Sequence, residues 1–443
     1  RDFLLGQPVH DLDFVVLGDA PRLARKTANH FHGAFYLMDA GRGIARVLLD
    51  APERKNLVLD FSNAHDNSLE SDLFARDFTI NAMALDPASQ QLIDPLQGAI
   101  HLREKKLVAC SENSFDEDPI RVLRAFRFSL QLTLRMSSQT KQGLFRAVPL
   151  LAQISGERQR DELYRLLELG KTAPLIHLLD RAKIFDVLLP EFSAFLNCYP
   201  GGKTTGLEIC TRTVEKVDLL LDFSEGKRDK IAETLFSSLI FLHLGRHRLK
   251  LLEHLSRRLT ISRSLHGLIA LAGLYFPHFL AAGPEQTPGM LSAIQERIKY
   301  LAFSRSETQF FMQILSHTSL FFDFLNQADA LPIDRADGFS SAEKTYLTRR
   351  QIYRYFKSAG PEGIEIALLS TAWVGAQAGP QLNQDEYTRM VRIMSELFDA
   401  FFEQYAQVID PPPLLSGDDL KNHLSMPAGE KLGQILERIK EEQ

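Results

Sequence analysis

Near residue 114 the hydrophobic pattern of this chain changes period, and that change constrains the fold more than any single motif. Before it, short apolar runs rich in β-formers recur at Phe14–Leu17, Ala34–Met38, Ile44–Leu49 and Leu57–Phe61. A helical pattern lies around Arg22–Phe31. After it, helical periodicity runs to the end and strand-like runs become rare. The expected architecture is an α/β head, a mixed sheet with flanking helices, followed by an elongated all-α neck, body and tail.

Breaks in the pattern suggest where the helical part divides. Tyr199-Pro200-Gly201-Gly202-Lys203 reads as a loop and a domain boundary, and Gly283-Pro284 and Asp410-Pro411-Pro412-Pro413 as two further breaks. A chain of 443 residues has room for two to four domains. Its net charge of -5 does not advertise nucleic-acid binding, so any RNA contact must come from local basic patches. Cys110, Cys198 and Cys210 are scattered without C-x-x-C spacing. That argues against structural zinc and a disulfide framework, and suits a reducing cytoplasm. The apolar stretch Gly267 to Gly283 is broken by Pro277 and His278, which predicts a buried helix and no membrane span. No signal peptide is visible. The chain opens at Arg1 without an initiator Met, so the head is expected to be truncated at its N-terminus.

Three segments carry chemistry. In His10-Asp11-Leu12-Asp13-Phe14-Val15-Val16 two acids alternate at the head of an apolar run. On a strand, Asp11 and Asp13 share one face. Two carboxylates at a sheet edge hold a hard divalent cation well and pack poorly, which points to metal-dependent phosphoryl transfer. A solvated strand end is the plain alternative.

In Asp72-Leu73-Phe74-Ala75-Arg76-Asp77-Phe78-Thr79-Ile80-Asn81-Ala82, the polar Arg76, Asp77 and Asn81 interrupt an apolar segment and need partners. An arginine fork suits triphosphate oxygens. Asp77 could hold that fork or bond a ribose hydroxyl; the alternative is a buried Arg–Asp pair that fastens a loop.

In Phe115-Asp116-Glu117-Asp118-Pro119-Ile120-Arg121-Val122-Leu123-Arg124-Ala125-Phe126-Arg127, Asp118 before Pro119 predicts a helix start with Asp118 as N-cap. Arg121 and Arg124 then share a face near it. An acceptor and a donor fork together can read a nucleobase edge. Capping plus solvated arginines is the alternative.

Occurring together and in this order, these segments resemble the bacterial-type (class II) tRNA nucleotidyltransferase and poly(A) polymerase family of the polymerase-β-like nucleotidyltransferase superfamily. Arg1-Asp2 is similar to the end of its Gly-Gly-x-Val-Arg-Asp loop, and Asp11-Leu12-Asp13 to its D-x-D. Ala75-Arg76-Asp77-Phe78-Thr79-Ile80-Asn81-Ala82 is similar to its R-R-D-F-T-x-N-A motif. Glu117-Asp118-Pro119-Ile120-Arg121 is similar to its E-D-x-x-R nucleotide-selecting motif. Asp94-Pro95 with Gly98 matches a further signature, and Pro412 to Leu420 and Gly433 to Leu436 resemble its tail.

There are departures. The Gly-Gly pair is absent, Ala75 replaces the first Arg of R-R-D, and His243, in a segment similar to an H-D phosphohydrolase helix, is followed by Leu244. Without that Asp a metal cage is incomplete, and His243 is expected to be a satisfied core histidine.

The resemblance implies a nucleotidyltransferase head over 1–112, a nucleotide-selecting and RNA-binding neck over 113–197, a degenerate HD-like body over 198–330 and an RNA-binding tail over 331–443. It implies CCA addition or repair at the tRNA 3′ end from CTP and ATP, with Mg2+ as cofactor. CC-only or A-only addition and poly(A) synthesis share the same head motifs, and an inactive RNA-binding relative is a more distant alternative. Asp11 and Asp13 are expected to hold two Mg2+ ions, with Asp60 as the third acid. The substrate-binding set is Arg1, Asp2, Arg76, Asp77, Asn81, Asp118, Arg121, Arg124 and Arg127.

RNA is expected along Glu157-Arg158-Gln159-Arg160 and Arg165, or along one of two basic clusters. The first is Arg246, His247, Arg248, Lys250 and Arg257-Arg258. The second is Lys344, Arg349-Arg350, Arg354 and Lys357, interleaved with Tyr346, Tyr353 and Phe356. The sequence leaves the oligomeric state open.

Overall fold

The computed structural model describes the chain apart from residues 10, 52–53, 197–203, 228–234, 261–262, 329–332, 335–343, 379–382, 417, 421–428 and 443. The predicted loop at Tyr199–Lys203 and Cys198 therefore lie outside the described residues. Two compact units emerge, Arg1–Ile154 and Ser155–Gln443. The helices that follow the sheet, up to residue 154, stand in the first unit.

All four β-rich runs of the head form strands: β1 (Asp11–Val16), β2 (Ala34–Asp39), β3 (Ile44–Ala51) and β4 (Arg54–Asn63). They make one sheet in the order β1-β4-β3-β2, with β1 parallel to β4 and the other pairs antiparallel. Helix α1 (Ala20–His30) crosses one face. It starts where the Asp19 carboxylate accepts the Arg22 N–H at 2.9 Å and the Asn63 side-chain oxygen accepts the Ala20 N–H at 2.8 Å. Its small Ala20, Ala24 and Ala28 let the helix lie close to Ala45, Val47, Leu49, Leu59 and Phe61, and these form the core of the sheet. The alternation of β3 and β4 puts Arg46 and Asp60 on the opposite face.

After the sheet come the short α2 (Leu69–Phe74), α3 (Gly98–Arg103) and α4 (Ser114–Glu117), then α5 (Arg121–Gln131) and α6 (Ser138–Ala147). A second core joins them, in which Phe78 meets Phe115 and Phe128 edge-on at 6.2 and 5.8 Å.

Among its described residues the second unit has helices and one two-residue strand pairing, Ile333–Asp334 with Lys344–Thr345. Its Gly206–Glu225 helix packs against Gly363–Ala378, Leu265–Ala281 and Thr172–Arg181. Leu265–Ala281 is the apolar helix expected from sequence, buried and with Pro277 inside it. No helix among the described residues is long and apolar enough to cross a membrane.

His243 departs from expectation. Among the described residues its Nε2 is buried with no hydrogen-bond partner, which differs from the expected satisfied core histidine. Burial first, then Arg392, hold its ring below the usual histidine range.

Candidate active site

The site is built on the open face of the sheet. Strand β1 is an edge strand in register with β4, Asp11 opposite Val58 and Asp13 opposite Asp60. The period of two places both acids away from α1, while Phe14 turns the other way and stacks on Phe61 at 5.0 Å. Among the described residues, neither the Asp11 nor the Asp13 carboxylate has an ion-pair or hydrogen-bond partner. The Asp13 carboxyl is raised above the usual aspartate range. Desolvation against the sheet is the first cause, followed by the charges of Asp11 and Asp60, and together they outweigh Arg76 and Arg46.

The third acid is differently placed. Both Asp60 oxygens accept from Arg46, Nε to Oδ1 at 2.7 Å and Nη2 to Oδ2 at 2.8 Å. Asp60 is thus a paired carboxylate, and Arg46 is a site residue that sequence reasoning missed. The signal was a lone charge in the apolar run of β3, at the position that alternation puts on the face of Asp60.

The Arg76 segment folds as a tight turn after α2. The Arg76 guanidinium binds Asp72 at 3.2 and 3.3 Å and the Asn81 carbonyl at 3.2 Å. Asp77 does not hold this fork, as the sequence had suggested it could. The reason is topological: α5 brings Arg124 to it. Arg124 donates to Asp77 Oδ2 at 2.8 and 2.6 Å, while Oδ1 accepts the Phe78 N–H at 2.7 Å and the Asn81 amide at 3.0 Å. Asn81 in turn accepts from Arg1 at 2.9 Å, and Arg1 pairs with Asp2 at 2.6 Å. Arg1, Arg124 and Arg127 gather around the Phe128 ring, 5.0, 5.6 and 4.3 Å from its centroid.

Asp94 explains the signature between these motifs. Its carboxylate caps α3, accepting the Gly98 and Ala99 N–H groups at 2.6 and 2.9 Å. A Cβ at Gly98 would stand 2.1 Å from the Thr79 carbonyl oxygen, so that helix end rests directly on the turn that carries Asn81.

Asp118 is not the N-cap of a helix beginning at Pro119. It ends α4, and α5 begins at Arg121 with Ile120 as its cap, because Asp118-Pro119-Ile120 forms an intervening turn whose Asp118 carbonyl accepts the Arg121 N–H at 3.0 Å. The Arg121 fork binds Ser114 at 2.8 and 3.1 Å and the Ala75 carbonyl at 2.7 Å, with Glu117 at 3.5 Å. As folded, it fastens the Arg76 turn to α4, which differs from the expectation of a donor free to meet a base.

A divalent cation suits Asp11 and Asp13. Two accessible carboxylates on one face, without an ion-pair or hydrogen-bond partner among the described residues, form a hard oxygen-donor set of the kind magnesium shares with substrate phosphates. No group of three or more His, Cys, Asp or Glu among the described residues is arranged to hold a metal, so a bound triphosphate would have to complete the coordination.

The basic clusters of the second unit are largely committed. Arg246 pairs with Asp399, Lys250 with Glu403 at 2.5 Å, and Arg257 with Glu365 at 3.4 Å. Arg350 and Arg354 pair with Glu441, and Lys357 with Glu437. Tyr346, Tyr353 and Phe356 are buried, so they are core residues and not an exposed stacking platform. Arg160 is buried too, donating to the Leu301 and Ala302 carbonyls.

Comparison with known proteins agrees with the head motifs. Residues 1–108 match the family model described as the poly A polymerase head domain, and residues 133–196 that of the probable RNA and SrmB-binding site of polymerase A. These two segments, about two fifths of the chain, are thus similar to the head and RNA-binding regions of poly A polymerases. A CC-adding tRNA nucleotidyltransferase of Geobacter sulfurreducens is 39% identical over 176 residues, which is 40% of this chain and 40% of that protein. A CCA-adding enzyme of Streptococcus pyogenes is 33% identical over 179 residues, 38% of this chain and 43% of the relative. The match therefore spans about two fifths of the curated relatives. A CCA-adding enzyme in an apo form shares the fold with a TM-score of 0.62, covering 99% of this chain and 83% of the other at 18% identity. The Thermotoga maritima CCA-adding enzyme complexed with tRNA gives 0.53 at 19% identity, over 99% of this chain and 84% of the other.

Proposed function

We propose that this chain is a template-independent RNA nucleotidyltransferase that adds CMP and AMP from CTP and ATP to the tRNA 3′ end. The observation that carries this reading is the pair of carboxylates Asp11 and Asp13, unpartnered among the described residues and on one sheet face, with Arg76 acting on the charge of Asp13. From Arg76 a continuous set of bonds runs through Asn81 and Asp77 to Arg124. The names of the relatives support the substrate class.

In this reading the RNA 3′-hydroxyl oxygen attacks the α-phosphorus in line. A bond from O3′ to Pα forms, the bond from Pα to the bridging oxygen breaks, the hydroxyl proton passes to solvent, and pyrophosphate leaves. Magnesium ions held by Asp11 and Asp13 together with triphosphate oxygens would supply Lewis-acid activation of the hydroxyl and charge neutralisation of the leaving group. Arg76 meets the triphosphate. Asp77 and Asn81, held by Arg124 and Arg1, orient the ribose. Asp118 reads the base, and Arg121 acts by setting the turn beside it. Arg127 lies over the Phe128 ring, and Asp2 holds Arg1 beside it. Positioning supplies most of the rate, since little covalent work falls on the protein. The partition into head, neck, body and tail at 112, 197 and 330, and a cytoplasmic setting, belong to the same proposal.

A narrower variant, addition of CC alone, is favoured by the higher identity to the Geobacter enzyme than to the Streptococcus one. Incubating the protein with tRNAs ending before CCA, after the first C and after CC, plus an unrelated RNA, and sequencing the products decides among these. Full CCA addition supports the main reading. Arrest after CC supports the variant, and addition of A alone or of an A tract to any RNA replaces it. No incorporation at all would end the enzymatic reading. Asp118→Ala should shift the preference among the four nucleotides; an unchanged preference refutes its base-reading role.

A further inference from the structure

The carboxylates on the open face are not equivalent, and the register shows why. Asp13 lies opposite Asp60 on β4, and Asp60 opposite Arg46 on β3, so acid, acid and base form one row across three strands. Neighbouring strands lie about 4.8 Å apart, which makes these side chains immediate neighbours on one face. Asp11, two residues from Asp13, adds a third negative charge. Among the described residues Arg46 is the one cationic group that ion-pairs with any of the three acids. Its side chain is 42% exposed. At that exposure the pair's charge is partly screened, and what its two parallel bonds fix is where the Asp60 carboxylate lies on this face.

We propose that Arg46 is a positioning residue of the transfer site: its fork keeps Asp60 beside the Asp11–Asp13 pair as a neutralised acid and thereby sets that pair's affinity for a divalent cation. The inference rests on Asp11 and Asp13 being the cation site. With Arg46 in place the three acids present a net charge of about −2, which one divalent cation neutralises; without it they present about −3. Asp60 is then a tuner of the site and not a third ligand, which revises the role the sequence suggested for it.

Mn2+ titration of the whole protein, with free ion followed by electron paramagnetic resonance and no nucleotide or RNA present, tests this apart from turnover. Arg46→Gln should bind Mn2+ about three- to tenfold more tightly than wild type, and Asp60→Asn more weakly by a similar factor. The double variant should return close to wild type, and Arg46→Lys, which keeps the charge, should match wild type. A merely structural arginine would lower the melting temperature and leave Mn2+ affinity unmoved, and that result overturns the proposal. So does a double variant as weak as Asp60→Asn alone, which would make Asp60 a ligand. If Arg46→Gln does not fold, Asp60→Asn and Arg46→Lys carry the test, and Mn2+ affinity unchanged in Asp60→Asn rejects it. Asp13→Asn binding Mn2+ as well as wild type is a separate outcome, because it removes the cation site itself.

Discussion

The two units both bury carboxylates against arginines, but they use them differently. In the second unit Glu307 is almost fully enclosed. Arg263 grips both its oxygens at 2.6 and 2.8 Å, and Ser304 closes a capping box with it. Every acceptor is answered, and the result fastens helices. In the head, Asp77 is answered as completely, yet Asp11 and Asp13 nearby are left open. An ion pair alone therefore says nothing about function. The informative feature is a carboxylate left without a counter-ion beside a turn whose polar groups are all fixed.

This contrast can be broken most directly at the open acids. Asp13→Asn should cut nucleotide incorporation by about a thousandfold or more while the melting temperature stays close to wild type. Near-normal turnover of Asp13→Ala would erase the distinction between the units.

The next largest effect belongs to the closed acid. Glu307→Ala should cost about 3 kcal/mol of stability in thermal or denaturant unfolding, since it leaves the mostly buried Arg263 with only its longer contact to Asp161 at 3.5 Å, with incorporation per folded molecule unchanged. Its pH dependence has a definite sign. Burial pushes the Glu307 carboxyl up, but the Arg263 and Ser304 hydrogen bonds and the Arg263 charge outweigh it and leave it below the usual glutamate value of 4.5. The ionised form is thus favoured in the folded state. The stabilisation is present above the unfolded value and is lost as pH falls through the folded one. The melting-temperature gap between wild type and Glu307→Gln should narrow as pH is lowered from 7 toward 3, and a gap that widens would contradict the assignment.

Arg124→Ala should combine both behaviours. It leaves the buried Asp77 unpaired, costing about 2 kcal/mol, and lowers incorporation because Asn81 loses its fixed partner. Glu441→Gln, which removes the charge paired with the partly exposed Arg350 and Arg354, should cost no more than about 1 kcal/mol and leave incorporation alone. A larger loss would mean the tail is held by its charges.

The strands and α1 were legible because β-rich apolar runs and helical periodicity around Arg22–Phe31 are local signals. The shared face of Asp11 and Asp13 followed from the same period. Partners were not legible. Nothing within reach of a local pattern joins Asp77 to Arg124, 47 positions away, and the sheet order that sets Arg46 beside Asp60 emerges only when the strands pair. The expectation of Asp118 as an N-cap failed because one-turn α4 ends where a helix seemed to begin. The basic and aromatic residues around 350 misled for the opposite reason. Tyr353 and Phe356 are three apart on one helix face, which fits a core stripe as well as a stacking surface, and burial chose the core.

The contact of Gly98 with the Thr79 carbonyl carries a consequence for how this head tolerates change. Position 98 touches no proposed substrate group, yet any side chain there would press on the backbone just ahead of Asn81 and unseat the residues that Arg1 and Arg124 hold. A single methyl group, added at a site that looks like ordinary helix, would be expected to disarm the head from behind.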